Sequence, residues 1–315
     1  RLEKFAGGQS NPSYKLTAAS GTYVIRRQPF GKLLKSAHAV DREFRVLGAL
    51  ADSAVPVPQV YHLCESPDVL GSMFYIMEFC DGRIFWDASL PEAADNAERS
   101  AIYNEMNRVL AELHRVDIHA AGLSDFGKPG NYFARQLLRW TSQYRASELK
   151  KIAAMDELII WLEQNQPDDD GCVALVHGDY HAKQLFFPSA AGGRFAVIDW
   201  QFPFIAQGAW DFARLLTLGL ATVDRRANER NLLDQYHQGL VDGGVEDYTL
   251  DDLTLDFQLG LIISHMINII AIGSTDERLI KEECDALGVD WKDVMFFRGQ
   301  NALKDWQVLE LISEL

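Results

Sequence analysis

The chain has 315 residues and a formal net charge of −15, and 48% of its residues are hydrophobic. This length allows two lobes or one large domain, and the composition is that of a globular protein with a sizeable core. A strongly acidic chain lacks the basic field that non-specific binding to nucleic acid or to an anionic membrane requires, so we expect neither partner. A phosphate-bearing ligand is still compatible, because a local basic patch can sit on an acidic protein.

Two features of the chain bear on its location. The longest apolar run, LGLIISHMINIIAI (259–272), is too short and too polar to be expected to span a bilayer. The N-terminus opens with charged residues and reaches a glycine at residue 7, which does not match a signal peptide. We therefore expect a cytoplasmic protein.

The first eighty residues predict a small β-rich lobe. Two alternating runs, Tyr14–Thr17 and Thr22–Arg26, are joined by a short turn and indicate a β-hairpin. Residues 36–51 have apolar side chains at helical spacing, which predicts a helix over this range. Two further strands follow, and the second ends at Cys80, where Asp81-Gly82 breaks the pattern.

The rest of the chain predicts a mainly helical lobe. Three amphipathic stretches indicate helices: 92–117, 132–148 and 155–166. Short strands follow around the sequences CVALVH, QLFF and RFAVIDW, and the pattern is helical from residue 210 onward. This change of pattern predicts an α+β protein of two lobes, residues 1–82 and residues 83–315.

The sequence HGDYHAKQLFF (177–187) places an acid between two histidines directly before an apolar run. With FAVIDWQ it predicts a strand–loop–strand hairpin that leaves Asp179 and Asp199 near the same end. Together with the amide of Gln184 they form a hard-oxygen set suited to Mg²⁺. One carboxylate could deprotonate a hydroxyl while the other holds Mg²⁺ on phosphates. The alternative is that both aspartates are ordinary turn residues.

A dinuclear metal cluster is a competing interpretation, because the Asp179-x-His181 pattern also begins the sites of metallophosphoesterases. Such sites need further histidine, aspartate and asparagine ligands downstream. The downstream histidines, His237 and His265, both lie in helical patterns, where core or surface roles are expected. The cluster therefore lacks ligands.

Arg26 is expected on the same face of its strand as Val24, pointing inward. A buried cation needs an anion, either a phosphate or a carboxylate such as Glu43 of the following helix. The alternative is an exposed, cationic strand end beside Arg27.

The N-terminal sequence FAGGQSNPSY places Gly7, Gly8 and Ser10 directly before a strand. Glycines and small polar residues let backbone N–H groups approach a phosphate closely. A plain hairpin turn is the competing interpretation.

In this order, the segments resemble the aminoglycoside-phosphotransferase-like kinases, a branch of the protein-kinase-like fold. HGDYHAKQ is similar to their catalytic loop, IDW to their metal-binding segment, GAWDFARLL to the helix that follows, and LAELHRVD to an earlier helix end. The first-half segments FAGGQSNPSYKLT and YVIRRQPFGKLLKSAHAVDREFRVL also resemble kinase-like modules associated with acyl-CoA dehydrogenases, a group associated with phosphorylating hydroxyacyl-CoA compounds. The second half resembles the choline-kinase-like side of the family.

The resemblance implies a role for each matching residue. Asp179 would be the catalytic base, and Asp199 with Gln184 would bind Mg²⁺. Arg26, paired with Glu43, would take the place of a phosphate-contacting lysine. The remaining nucleotide contacts would come from the backbone of Glu78 and Cys80 on adenine and from Gly7, Gly8 and Ser10 over the phosphates.

The implied activity is ATP- and Mg²⁺-dependent transfer of a phosphoryl group to the hydroxyl of a small molecule. Candidate acceptors are a hydroxyacyl-CoA, an amino alcohol or an aminoglycoside. The chain departs from the family pattern at Gln184, where asparagine is usual, and at Arg26, where lysine is usual. A nucleotide-binding pseudokinase is therefore the alternative. A homodimer is left open.

Overall fold

The computed structural model describes residues 1–5, 11–31, 38–127, 132–147, 151, 153–166, 173–188, 195–274, 277–308 and 310–311. Within these ranges the chain has an N-terminal antiparallel sheet followed by a mostly helical part. The predicted α+β organisation is therefore confirmed, while the boundary at residue 82 stays a prediction. Gly7, Gly8 and Ser10 lie outside the described residues.

The N-terminal sheet has five antiparallel strands in the order β1-β2-β3-β5-β4. Their bounds are Leu2–Lys4 (β1), Ser13–Ala18 (β2), Gly21–Arg27 (β3), Val60–Cys64 (β4) and Phe74–Glu78 (β5). The predicted hairpin is confirmed, since β2 and β3 pair from Ser13 opposite Arg26 to Ala18 opposite Gly21. β3 then pairs with β5, which makes β3 a central strand.

Helix α1 (Val40–Leu50) packs on β4 and β5. Its apolar side chains Val46, Leu47 and Leu50 are buried in the core, as the helical spacing predicts. The helix begins later than the expected residue 36.

A short helix, α2 (Pro67–Leu70), connects β4 to β5. The Ser66 hydroxyl accepts the backbone N–H of Asp68, and Pro67 occupies the first helical position, where a missing N–H costs nothing. The same residues that favour a turn therefore also begin a helical turn.

The chain leaves the sheet after β5 and meets the second half at once. Arg83 and Phe187 exchange two backbone hydrogen bonds of 2.8 Å. A side chain at Gly82 would place its Cβ 2.7 Å from the carbonyl oxygen of Phe187, so this close crossing requires glycine. The N-terminal sheet is thereby tied directly to the segment that carries Asp179 and Gln184.

The helical part contains eight further α-helices among the described residues: α3 (Asn96–His114), α4 (Tyr132–Ser147), α5 (Ala153–Gln164), α6 (Ala209–Gly219), α7 (Thr222–Asp242), α8 (Leu250–Ser274), α9 (Glu277–Ala286) and α10 (Arg298–Asp305). The three predicted helices correspond to α3, α4 and α5 with ends shifted by a few residues. At the centre lies α6, which contacts α3, α7, α8 and α10 and buries Phe212, Leu215 and Leu216 completely.

Two small two-stranded sheets surround the sequence motif. Their strands are β6 (Ala174–Val176), β7 (Leu185–Phe186), β8 (Ala196–Val197) and β9 (Phe204–Ala206). The predicted hairpin is present as β7 paired with β8. Strand β9, which pairs with β6, was missed because three residues within FPFIAQG give too short a run for a period to show.

Helix α8 contains the apolar run 259–272, for which we expected no membrane span, and extends beyond this run at both ends. Among the described residues, its segment Leu250–Gly273 is the one helix long and apolar enough to cross a membrane by length and composition. This is weak evidence, because a core helix of a folded domain passes the same test. The helix packs against α6 and buries Leu253, Phe257 and Leu261 in the hydrophobic core.

Candidate active site

The loop after β6 carries Asp179, and its path depends on Gly178. This glycine has a φ of 85°, and a Cβ there would lie 2.5 Å from the carbonyl oxygen of Phe202. A side chain would therefore meet backbone that cannot move aside. The tight turn at Gly178 therefore sets the path of the loop into Asp179.

Asp211 of α6 holds this loop from beneath. Its carboxylate is fully buried and accepts the backbone N–H groups of His177 (2.6 Å) and Gly178 (2.9 Å). His114, at the end of α3, approaches the same carboxylate at 3.4 Å and is bonded on its other nitrogen to the hydroxyl of Tyr236. Buried hydrogen bonds to a carboxylate are among the stronger ones in proteins, so the loop backbone is firmly placed.

The residue before Asp199 is fixed by two parts of the same loop. The Nε2 atom of His177 bonds the carbonyl oxygen of Ile198 at 2.8 Å, and the N–H of Ile198 donates to the carbonyl oxygen of Gln184 at 2.9 Å. Both backbone groups of Ile198 are thus engaged. His177 therefore braces the backbone, and the bracing brings Asp199 beside Gln184.

Asp199 itself has a φ of 60°, a left-handed conformation that is uncommon for a residue other than glycine. Such conformations persist when the surrounding structure determines them, and they cluster at functional sites. Here the hydrogen bonds to both backbone groups of the preceding Ile198 hold Asp199 in this conformation.

Three side chains contact the carboxylate of Asp179. Arg214 of α6 donates from Nη2 to Oδ1 at 2.7 Å, Gln184 donates from Nε2 to Oδ2 at 3.0 Å, and His181 lies 3.3 Å from Oδ2. Burial acts to raise the pKa of Asp179, but His181 and Arg214 outweigh it and hold this pKa well below its usual range. The carboxyl group is therefore ionised at neutral pH, which the predicted role of Asp179 as a base would require.

Arg26 links the N-terminal sheet to the second carboxylate. Its guanidinium bonds Glu43 at 2.6 Å from Nε and also contacts Asp199. Glu43 is buried and accepts further bonds from Asn11 (2.6 Å) and Tyr75 (3.0 Å). Burial alone would lower the pKa of Arg26, but Glu43 and Asp199 raise it. The expected Arg26–Glu43 pair is present, and its role in phosphate binding stays a prediction.

The oxygen atoms near Asp199 suit a magnesium ion. One carboxylate oxygen of Asp199 faces Arg26, and the other has no hydrogen-bond partner among the described residues. Gln184 turns its amide nitrogen toward the ionised Asp179, and within the same residues its Oε1 likewise accepts no hydrogen bond. Two hard oxygens on adjacent segments, completed by water and phosphate oxygens, match what Mg²⁺ prefers.

The predicted adenine contacts lie at the end of β5. Glu78 is its last residue, paired with Tyr23 of β3, and its N–H donates to the carbonyl oxygen of Gln59 at 2.8 Å. Cys80 follows two residues later, just before the Gly82 crossing. The structure thus brings Asp179, Gln184, Asp199, Arg26 and Glu43 into one connected network, with Glu78 and Cys80 on the connection between the two halves.

The roles of Asp211 and Arg214, which lie one helical turn apart on α6, become visible only in the structure. The segment that carries them, GAWDFARLL, nevertheless holds a local signal. A fully apolar helix face interrupted by an acid and a base three residues apart predicts partners for both, because unpaired buried charges are costly.

Comparison with known proteins identifies the family. The model of the phosphotransferase enzyme family, APH, matches residues 1–248. The chain belongs to this family. A solved structure from Ralstonia eutropha JMP134, assigned provisionally as an aminoglycoside phosphotransferase, is 36% identical with a TM-score of 0.70 and covers 98% of this chain and 92% of its own.

More distant likenesses agree on the fold. The structure of the streptomycin–ATP–APH(2")-IIa ternary complex is 17% identical, with a TM-score of 0.55, and the match covers 94% of each chain. At this identity the likeness shows the protein-kinase-like fold alone.

Curated relatives extend well beyond this chain. Acyl-CoA dehydrogenase family member 10 of Mus musculus is 46% identical over 200 residues, which are 64% of this chain and 18% of the relative. Family member 11 of Rattus norvegicus is 42% identical over 214 residues, 68% of this chain and 27% of the relative. The chain thus spans about a quarter or less of the length of these relatives.

Proposed function

We propose that the protein is an ATP- and Mg²⁺-dependent kinase that phosphorylates a hydroxyl group of a small molecule. The observation that carries this proposal is the placement of Asp179, Gln184 and Asp199 on one braced loop system inside a phosphotransferase-family fold. Because Asp179 contacts Arg214 whereas Asp199 contacts Arg26, the two carboxylates support a division of work between a base and a metal site.

In the proposed reaction, Asp179 accepts the proton of the acceptor hydroxyl. The hydroxyl oxygen forms a bond to the γ-phosphorus of ATP, the bond from that phosphorus to the bridging oxygen breaks, and ADP leaves with the electron pair. Mg²⁺, held by Asp199 and Gln184, would neutralise charge on the phosphates. Arg26, oriented by Glu43, would bind phosphate oxygens as well. Positioning and charge neutralisation account for most of the acceleration in such transfers.

The acceptor class is the finer part of the proposal. The names of the curated relatives favour a hydroxyacyl-CoA, because the aligned region lies within proteins named for acyl-CoA chemistry. The provisional aminoglycoside assignment of the structure from Ralstonia eutropha supports an amine-bearing acceptor instead. We rank the hydroxyacyl-CoA first, since those relatives are the more similar in sequence.

The test is ADP release from Mg-ATP across a panel of hydroxyacyl-CoAs, amino alcohols and aminoglycosides, with Asp179→Asn as the matched control. We expect release that depends on one acceptor class and is lost in the control. Tight Mg-ATP binding without turnover on any acceptor would contradict the kinase and favour a nucleotide-binding pseudokinase.

A further inference from the structure

Arg214 occupies an unusual position in the described part of the chain. It lies on α6 one turn after Asp211, and its side chain is only 9% exposed. Its Nη2 atom donates to Oδ1 of Asp179 at 2.7 Å. The helix that holds the catalytic loop by its backbone therefore also holds the side chain of the proposed base.

The partners of this guanidinium are few. Among the described residues, Nε and Nη1 of Arg214 are buried and have no hydrogen-bond partner, although a guanidinium carries five N–H donors. By contrast, Arg298 of α10, equally buried, bonds both Asp293 and the carbonyl oxygen of Leu218. Burying a charge with so few bonds is costly, and within this part of the chain Asp179 is the partner that offsets the cost.

The contacts of Asp179 indicate what the arginine does. A carboxylate offers about four lone-pair directions. Gln184 and His181 both approach Oδ2, and Arg214 takes one direction on Oδ1. The direction that is left lies on Oδ1, beside the guanidinium, and this is where an acceptor hydroxyl would bind.

We propose that Arg214 is a positioning residue for the proposed phosphoryl transfer: it fixes the carboxylate of Asp179 so that the remaining lone pair of Oδ1 faces the acceptor hydroxyl. The proposal rests on the proposed role of Asp179 as the base. A guanidinium suits this task because it keeps its charge at all physiological pH values and its planar shape limits rotation. His181 faces the same carboxylate, but a histidine carries a charge only when protonated.

The test compares Arg214→Gln and Arg214→Lys with Arg298→Gln, which removes an equally buried guanidinium that does not contact Asp179. We expect Arg214→Gln to lower kcat by roughly 10- to 100-fold, the effect of a small misplacement of a reacting group. The KM of the acceptor and the Kd of Mg-ATP should stay near the wild-type values. Arg214→Lys should restore part of kcat, and Arg298→Gln should lower Tm without changing kcat.

A double-mutant cycle separates positioning from a merely structural role. If Arg214 acts through Asp179, adding Arg214→Gln to Asp179→Asn should cause no further loss of the residual rate. An equal loss in both backgrounds, or an unchanged kcat in Arg214→Gln and Arg214→Lys, would overturn the proposal. If Arg214→Gln does not fold, the Arg214→Lys arm of the cycle decides.

The outcomes also distinguish the two proposals. A wild-type protein that transfers phosphate and loses the activity in Asp179→Asn, but not in the Arg214 variants, overturns the role of Arg214 alone. A wild-type protein without transfer overturns the proposed function and this inference together.

Discussion

The two carboxylates of the site are held in different ways. Asp179 is contacted by Arg214, Gln184 and His181, which all belong to the helical part of the chain. Asp199 is instead contacted by Arg26, which belongs to the N-terminal sheet. The proposed base is thus positioned by one half of the molecule, whereas the proposed metal ligand bridges both halves. This difference suggests that chemistry and nucleotide binding can be disturbed separately.

The largest effect should come from Asp179→Asn. The amide keeps the shape but cannot accept the proton, so we expect kcat to fall by about 10²- to 10⁴-fold. The Kd of Mg-ATP, measured by calorimetry, should change little because the metal ligand Asp199 remains. A loss of Mg-ATP affinity as large as the fall in kcat would show that Asp179 and Asp199 do not divide proton transfer and metal binding between them.

Asp199→Asn should produce the opposite pattern. Removing one negative charge from the metal site should weaken Mg-ATP binding and leave little difference between titrations with and without Mg²⁺. The comparison with Asp179→Asn serves as the control, since both variants lose one carboxylate from the same connected network. Unchanged magnesium dependence would argue against Asp199 as a ligand.

Glu43→Gln tests the contribution of the N-terminal sheet. The amide cannot orient Arg26 with the strength of a carboxylate, so we expect the KM for ATP to rise about 10-fold, the size of one charge-assisted hydrogen bond. The acceptor KM should not change. The matched control is Glu105→Gln, which breaks an exposed pair with Arg108. An equal rise in the KM for ATP in both variants would show that the effect is not specific to Glu43.

Gln184→Asn addresses the departure from the usual family residue. The shorter arm would lose the 3.0 Å bond to Asp179, so we expect a roughly 10-fold lower activity. A strong rise in activity instead would indicate that the natural glutamine impairs the enzyme, as in a pseudokinase. The measurement is kcat at saturating Mg²⁺ in both proteins.

The smallest effect on turnover should come from Asp305→Asn, which disturbs a charged cluster away from the site. Asp305 contacts the buried Arg225 and bonds Arg226 at 2.8 Å. Burial acts to raise the pKa of Asp305, but the two arginines lower it below its usual value. The contribution of Asp305 to stability is therefore fully present above the ordinary carboxyl pKa and is lost as the pH falls from there through the lowered pKa of the folded protein.

We accordingly expect Asp305→Asn to lower Tm by a few degrees at pH 7 with kcat unchanged. The Tm difference from wild type should narrow below about pH 4. A difference that persists in acid would mean that packing, rather than charge, explains the effect.

The sequence predicted the parts of the fold that have local signals. The β2–β3 hairpin, α1 and α3 follow from alternation and helical spacing, and the β7–β8 hairpin follows from two apolar runs around a turn. Strand β9 has no such local signal, since its pairing with β6 depends on contacts between distant segments. The site shows the same limit: Asp179 and Gln184 stand in one motif and Asp199 in the next, but Arg214 is linked to them only through the fold. The cellular location and the oligomeric state stay predictions.

The most direct test of the proposed kinase activity follows the γ-phosphate itself, using ATP labelled at that position with Mg²⁺ and the acceptor panel. We expect the label to appear on an acceptor hydroxyl with wild-type protein and not to appear with Asp179→Asn. Label that stays in ATP, or is released only as inorganic phosphate, would contradict the claim that this site transfers a phosphoryl group to a small molecule.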